Sequence, residues 1–184
     1  MVQVARQLFT VDEYYKMADV GIIKPTDRVE LIKGEIIKMS PIRSLHSSVV
    51  DDLHGIFVSA LKREFITKSQ NPIHINRFSE PEPDVFVVKY RKDKSRRRHP
   101  RPDEVLLLIE VADTSLRYDR EIKKPLYAEA YIQEYWIVNL IDQQIEIFRN
   151  PQDGEYQEKY IILLGEIAGC DSIGFALDTS EIFF

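Results

Sequence analysis

Apolar residues recur at three- and four-residue spacing over residues 45–65: Val49, Val50, Leu53, Ile56, Phe57, Ala60 and Leu61. That spacing lines one side of a helix and predicts the clearest amphipathic helix of the chain. Two other stretches are almost wholly apolar. They are Val85-Phe86-Val87-Val88 and Val105-Leu106-Leu107-Leu108-Ile109-Glu110-Val111. A strand that is apolar on both faces must be covered on both, so 105–111 is predicted as a central strand under helices.

Alternation and turn residues supply further strands. Residues 28–32 and 35–39 flank Lys33-Gly34, a hairpin signal in which glycine supplies the positive φ of a tight turn. A short strand is expected over 73–78, a pair over 134–140 and 144–148, and another over 156–163 after Asp153-Gly154. Residues 175–184 read as a strand and a last helical turn. Thr10 with Glu13 forms a capping-box pattern, which starts a short helix running to about Ala18. A helix should begin near Arg117 or Asp119 and end near Ala130. Pro125 lies inside it and predicts a kink or a late start.

The chain of 184 residues shows no repeat, low-complexity tract or linker, so one α+β domain over 1–184 is expected. No apolar run approaches a membrane span, and the first ten residues lack a signal-peptide pattern. Cys170 is the lone cysteine, so no intrachain disulfide is possible. These features favour a reducing, cytoplasmic setting. The net charge of −5 argues against non-specific coating of nucleic acid. The charge is uneven, however. Residues 91–101 hold seven Lys/Arg against Asp93 alone, a local +6 that leaves −11 on the rest of the chain. A basic segment of this kind can meet phosphates.

Glu110 is the most informative residue. It interrupts an otherwise apolar strand, where a lone carboxylate is costly unless a cation or donors meet it. An ion pair with a nearby Lys or Arg satisfies that need, and so does a metal. Asp84 follows Pro83 and opens a strand; it is either a turn acid or a second ligand. If the strands of 85–88 and 105–111 are neighbours, Asp84 and Glu110 converge on one ion. Hard oxygen ligands suit magnesium, with manganese as the alternative. Lys123 shares a helix face with Tyr127, four residues on, and Lys124 points elsewhere.

This order of Asp, Glu and Lys resembles the PD-(D/E)XK nuclease superfamily and, within it, the Uma-type restriction-endonuclease family. The resemblance is carried by Val29-Glu30-Leu31-Ile32-Lys33-Gly34-Glu35, Met39-Ser40-Pro41 with His46, and Pro83-Asp84. It continues through Leu108-Ile109-Glu110-Val111, Asp119 with Lys123, and Leu126-Tyr127-Ala128 leading to Glu134-Tyr135-Trp136-Ile137-Val138. It implies a restriction-endonuclease-like mixed β-sheet flanked by helices. The implied activity is metal-dependent hydrolysis of phosphodiester bonds in nucleic acid, DNA in the first place.

One position departs from the pattern. The superfamily places lysine two residues after the second acid, and here that residue is Ala112. The resemblance implies that Lys123 takes over the role. It implies Asp84, Glu110 and the Val111 carbonyl as metal ligands and Glu30 as an auxiliary acid. His46 either contacts phosphate or caps and packs a helix. Asp119 is either an acid favoured by the helix dipole or a partner of Lys123. Arg96-Arg97-Arg98 is either a phosphate clamp or a solvated loop. A double-strand cut needs two sites, so a homodimer is expected. The rival reading is a non-catalytic nucleic-acid-binding or assembly protein that retains the fold, which Ala112 and the acidic balance favour.

Overall fold

The structure is a computed structural model that describes residues 6–61 and 63–183. Lys62 in the predicted long helix and Phe184 at the predicted last turn lie outside the described residues. So do Met1 to Ala5 of the N-terminal stretch that lacks a signal pattern.

Six strands form the central sheet: β3 (Phe65–Ser69), β4 (Val85–Lys89), β5 (Val105–Ala112), β6 (Glu134–Asn139), β7 (Gln144–Gln152) and β8 (Glu155–Leu163), in that spatial order. Neighbours are antiparallel except β5 and β6, which run parallel. A parallel pair requires a crossover. Here it consists of α3 (Leu116–Tyr118), a π-helical turn (Asp119–Lys123) and α4 (Lys124–Glu129). The result is an α+β mixed sheet flanked by helices, as the sequence implies.

β5 is central and covered on both faces. Leu107, Ile109 and Val111 pack with Val49, Val50, Leu53 and Phe57 of α2 (Ser44–Ala60). Leu108 and Ala112 face the other way, against Leu126 and Tyr127 of the crossover. The helix-periodic stretch thus ends at Ala60, five residues short of the predicted end. Phe65 already belongs to an edge strand, where β-branched Ile66 and Thr67 favour extended backbone.

Two hairpins pack against this frame. β1 (Val29–Ile32) and β2 (Glu35–Lys38) turn through Lys33 at φ +49° and Gly34 at φ +81°. A Cβ at Gly34 would sit 2.7 Å from Cβ of Leu8, so glycine is required by space as well as by φ. β9 (Ile167–Cys170) pairs with β10 (Phe175–Asp178), and the following turn is a 3₁₀ helix over Thr179–Glu181. The capping box forms as predicted: the Thr10 side chain accepts from the Glu13 N–H and starts α1 (Val11–Asp19).

Residues 73–78 do not form the predicted strand. Their backbone is met by prolines: Ile73 N–H donates to Pro81 O at 3.0 Å and His74 N–H to Pro100 O at 2.9 Å. An isolated bridge, Asn76 to Ser79, is what forms there. No helix among the described residues is long and apolar enough to cross a membrane.

Candidate active site

Strand register brings the two acids together. Val85 opens β4 opposite Ile109 of β5, so Asp84 lies beside Glu110 near the end of the central strand. Asp84 Oδ2 accepts the Val111 N–H at 2.9 Å, and the Asp84 N–H approaches Glu110 Oε2 at 3.4 Å. Side chain and backbone are thereby interlocked past the last β4–β5 ladder pair.

Glu110 projects to the crossover face, as does Ala112 two residues on. A lysine at 112 would stand where the crossover helix now packs. Lys123 reaches the same place from that helix. Its Nζ donates to Glu110 Oε1 at 3.0 Å and lies 3.5 Å from Glu30 Oε2. Tyr127, one turn further, donates to the same Glu110 Oε1 at 2.8 Å. The sequence pattern that pairs Lys123 with Tyr127 therefore describes the contact that forms. Lys124 is turned away, its ammonium 5.2 Å from the Phe148 ring centroid.

The helix geometry behind this is unusual. Pro125 has no N–H to donate, and just before it the Lys124 N–H bonds to Asp119 O across a π-helical turn. The predicted kink is this wide turn. It buries Asp119 and Lys123 together, at 2% and 4% exposure, and leaves Arg117 and Glu121 paired in solvent. Asp119 Oδ2 accepts from Ser115 Oγ at 2.7 Å.

Glu30 arrives from β1. A bridge between Leu31 and Glu80 ties β1 to the segment that leads into β4. Glu30 is then held by the Glu82 N–H at 3.2 Å and the Tyr118 hydroxyl at 3.2 Å. His46, in the first turn of α2, places Nε2 3.2 Å from Asp84 Oδ2, while its buried Nδ1 has no partner among the described residues. Glu30, His46, Asp84, Glu110, Asp119 and Lys123 all line one cavity of about 290 Å³.

The electrostatics are dominated by excess acid. Burial pushes the Glu110 carboxyl well above its usual range. The Lys123 ammonium opposes this but is outweighed, because Asp84, Asp119 and Glu30 add to the burial. Burial likewise raises Asp119, to about 6, against Lys123 and Ser115. Burial would lower Lys123, yet Glu110, Glu30, Asp119 and Asp84 together drive it well above its usual value. The Lys123 ammonium therefore stays charged, and one ammonium does not neutralise the acids gathered around it. Asp84 lies below its usual range. Burial pushes it up, but His46, Lys123 and the Val111 N–H outweigh that. His46 is raised, because its bond to Asp84 overcomes burial.

Arg96, Arg97 and Arg98 are not brought to this site. β4 begins beside Asp84 and ends at Lys89, so the loop that follows leaves from the far end of the strand. Arg98 instead bonds Glu104 at 2.7 and 2.9 Å, and none of the three arginines lines the cavity. The cations on the cavity wall, besides Lys123, are Arg28, Lys38 and Arg43. The sequence did not single these out, and it missed Tyr118, Ser115 and Glu82. Tyr118 lies five residues before Lys123, a spacing that an α-helix does not bring to one face; the π turn brings both to Glu30.

Among the described residues no group of three or more His, Cys, Asp or Glu side chains is placed to hold a metal ion. Asp84 and Glu110 bring two carboxylates side by side at this site. Glu110 Oε1 is committed to Lys123 and Tyr127, which leaves Oε2 on the Asp84 side.

The site thus consists of two acids at adjacent strand ends of a mixed sheet and a lysine supplied by the crossover. The chain belongs to the Uma2 family, described as "Putative restriction endonuclease", which matches residues 11–180. Its fold is similar to that of a crystal structure from Anabaena variabilis ATCC 29413, described as a putative nuclease belonging to DUF820. The TM-score is 0.73 at 16% identity, over 95% of this chain and 97% of that one. No curated protein matches the sequence.

Proposed function

We propose that this protein is a magnesium-dependent endonuclease that hydrolyses phosphodiester bonds in DNA, with Asp84, Glu110 and Lys123 at its centre. The observation that carries the reading is the cavity in which one buried ammonium meets Glu110 and Glu30 beside Asp84. Several acids around one cation invite a second cation, and hard carboxylate oxygens suit a divalent one.

Asp84 and Glu110 Oε2 would hold the ion, with water filling most of its remaining positions. The Val111 carbonyl is the third candidate ligand. In an extended strand a residue's C=O points to the same edge as its N–H, and the Val111 N–H points to Asp84. Bound there, magnesium supplies charge that offsets the developing negative charge on phosphate oxygens and makes its bound water more acidic.

The chain's own residues do the rest. Lys123 holds a proton donor beside Glu110 Oε1, where it can orient the attacking water and stabilise charge on the phosphoryl group. Tyr127 fixes Glu110 from the other side. Glu30 holds the ammonium in place and is itself oriented by Tyr118. Arg28, Lys38 and Arg43 on the cavity wall are placed to position phosphate.

The test is a cleavage panel of duplex DNA, single-stranded DNA and RNA, with magnesium and with chelator. Magnesium-dependent cutting that is lost in Asp84→Ala supports the proposal. Metal-independent binding of nucleic acid, unaffected by Asp84→Ala and without cutting, supports the non-catalytic reading.

A further inference from the structure

We propose that two copies of this chain pair edge to edge through β8, about a two-fold axis at Tyr160. The inference stands independently of the chemistry around Lys123. β8 is the outermost strand of the sheet, nine residues long, and pairs only with β7 among the described residues. Long open edges are normally blunted by proline, by bulges or by charge that points along the edge. β8 contains no proline. Its lysine, Lys159, is drawn back over the sheet, 3.0 Å from Glu146 and 5.4 Å from the Phe148 ring. Towards its end the strand is apolar and exposed: Tyr160 at 46%, Ile161 at 40% and Leu163 at 52%.

The edge also defines its own register. The Leu163 N–H donates to Glu166 Oε2 at 2.8 Å, and the Leu163 carbonyl accepts from Thr179 Oγ1 at 2.9 Å. Both groups thus point away from β7. By strand alternation so do those of Ile161 and Lys159, and these have no such caps among the described residues. A two-fold antiparallel pairing centres on one residue, which then faces itself. Centring on Glu158 or Lys159 sets like charges opposite each other, which is unfavourable. Centring on Ile161 or Ile162 requires the Leu163 groups, which are already used. Centring on Tyr160 sets Lys159 opposite the partner's Ile161 and Glu158 opposite the partner's Ile162. It exchanges backbone bonds at Lys159 and Ile161 and stacks the two Tyr160 rings. The occupant is a second copy of this chain, which in this register meets the edge with no like charges opposite each other and without the capped Leu163 groups.

The experiment uses the full chain. Light scattering of the wild type should give twice the 21.5 kDa protomer mass at high micromolar concentration. A protomer mass at every concentration overturns the proposal. Ile161→Pro removes an outward N–H and no β7–β8 bond, so it should be folded by circular dichroism and monomeric. If it stays dimeric, the interface lies elsewhere. Tyr160→Cys should form a reducible covalent dimer on mild oxidation, and Gln157→Cys should not. The parent protein should not cross-link, because Cys170 is buried. Cross-linking through Gln157→Cys in preference to Tyr160→Cys would refute the register.

Discussion

The Lys123 ammonium lies 3.0 Å from Glu110 Oε1 although the two residues come from different elements, a π-helical turn and the central strand. Both are almost fully buried. Each therefore depends on the other, because a buried charge that loses its partner is strongly destabilising. Lys123→Ala should lower the unfolding midpoint in urea by far more than Lys124→Ala, whose ammonium is not among the acids. The double variant Lys123→Met/Glu110→Gln should recover part of the loss. No recovery would mean that the pair contributes through packing alone.

Tyr127 shares the same carboxylate oxygen at 2.8 Å. Tyr127→Phe keeps the ring and removes the donor, so it should cost about 1–3 kcal/mol in chemical denaturation. Tyr118→Phe removes a longer bond to Glu30 beside the open cavity and should cost less. Equal losses would argue that Glu110 is not the more demanding acceptor.

Metal binding should be visible without any substrate. An ion that binds the folded state raises the melting temperature by mass action. Magnesium or manganese should stabilise the wild type, and Asp84→Asn should remove most of that shift. An identical shift in both proteins would place the ion elsewhere.

A second buried acid gives a pH test remote from the site. Glu146 on β7 is fully buried and is bonded by Arg120 and Lys159. Burial pushes its carboxyl up, but these two cations outweigh it and the net direction is down. A depressed folded pKa contributes stability that is present above the unfolded value, about 4.3 for glutamate, and is lost as pH falls through the folded value. The stability gap between wild type and Glu146→Gln should therefore be constant near neutrality and shrink in acid, below the unfolded value. A gap that does not change with pH would contradict the assignment.

Much of this arrangement is legible in the sequence because it is local. Gly34 had to occupy a positive-φ turn, and Glu110 stood out as a charge in an apolar strand. Lys123 and Tyr127 are one turn apart, so their shared face survives even in a distorted helix. What the sequence hid depends on tertiary placement. Tyr118 meets Glu30 across 88 positions, through a turn whose width periodicity does not encode. The three arginines read as either a phosphate clamp or a solvated loop, and strand direction carries their loop to the opposite end of β4 from Asp84. Residues 73–78 had strand-like alternation, but the Pro81 and Pro100 carbonyls took the Ile73 and His74 donors and the Ser79 carbonyl took those of Ile75 and Asn76. Phe65 continued a helical period by coincidence of spacing, across a break after Ala60.

The most direct test of the central claim is single-turnover cleavage of DNA at saturating magnesium by Lys123→Gln and Lys124→Gln. Glutamine at 123 keeps a donor beside Glu110 and removes the charge, so folding is checked in parallel by circular dichroism. The account predicts a loss on the order of a hundredfold or more for Lys123→Gln, the usual cost of removing one preorganised electrostatic contact, with Lys124→Gln near wild type. Normal cutting by folded Lys123→Gln, or a dead Lys124→Gln, would contradict it.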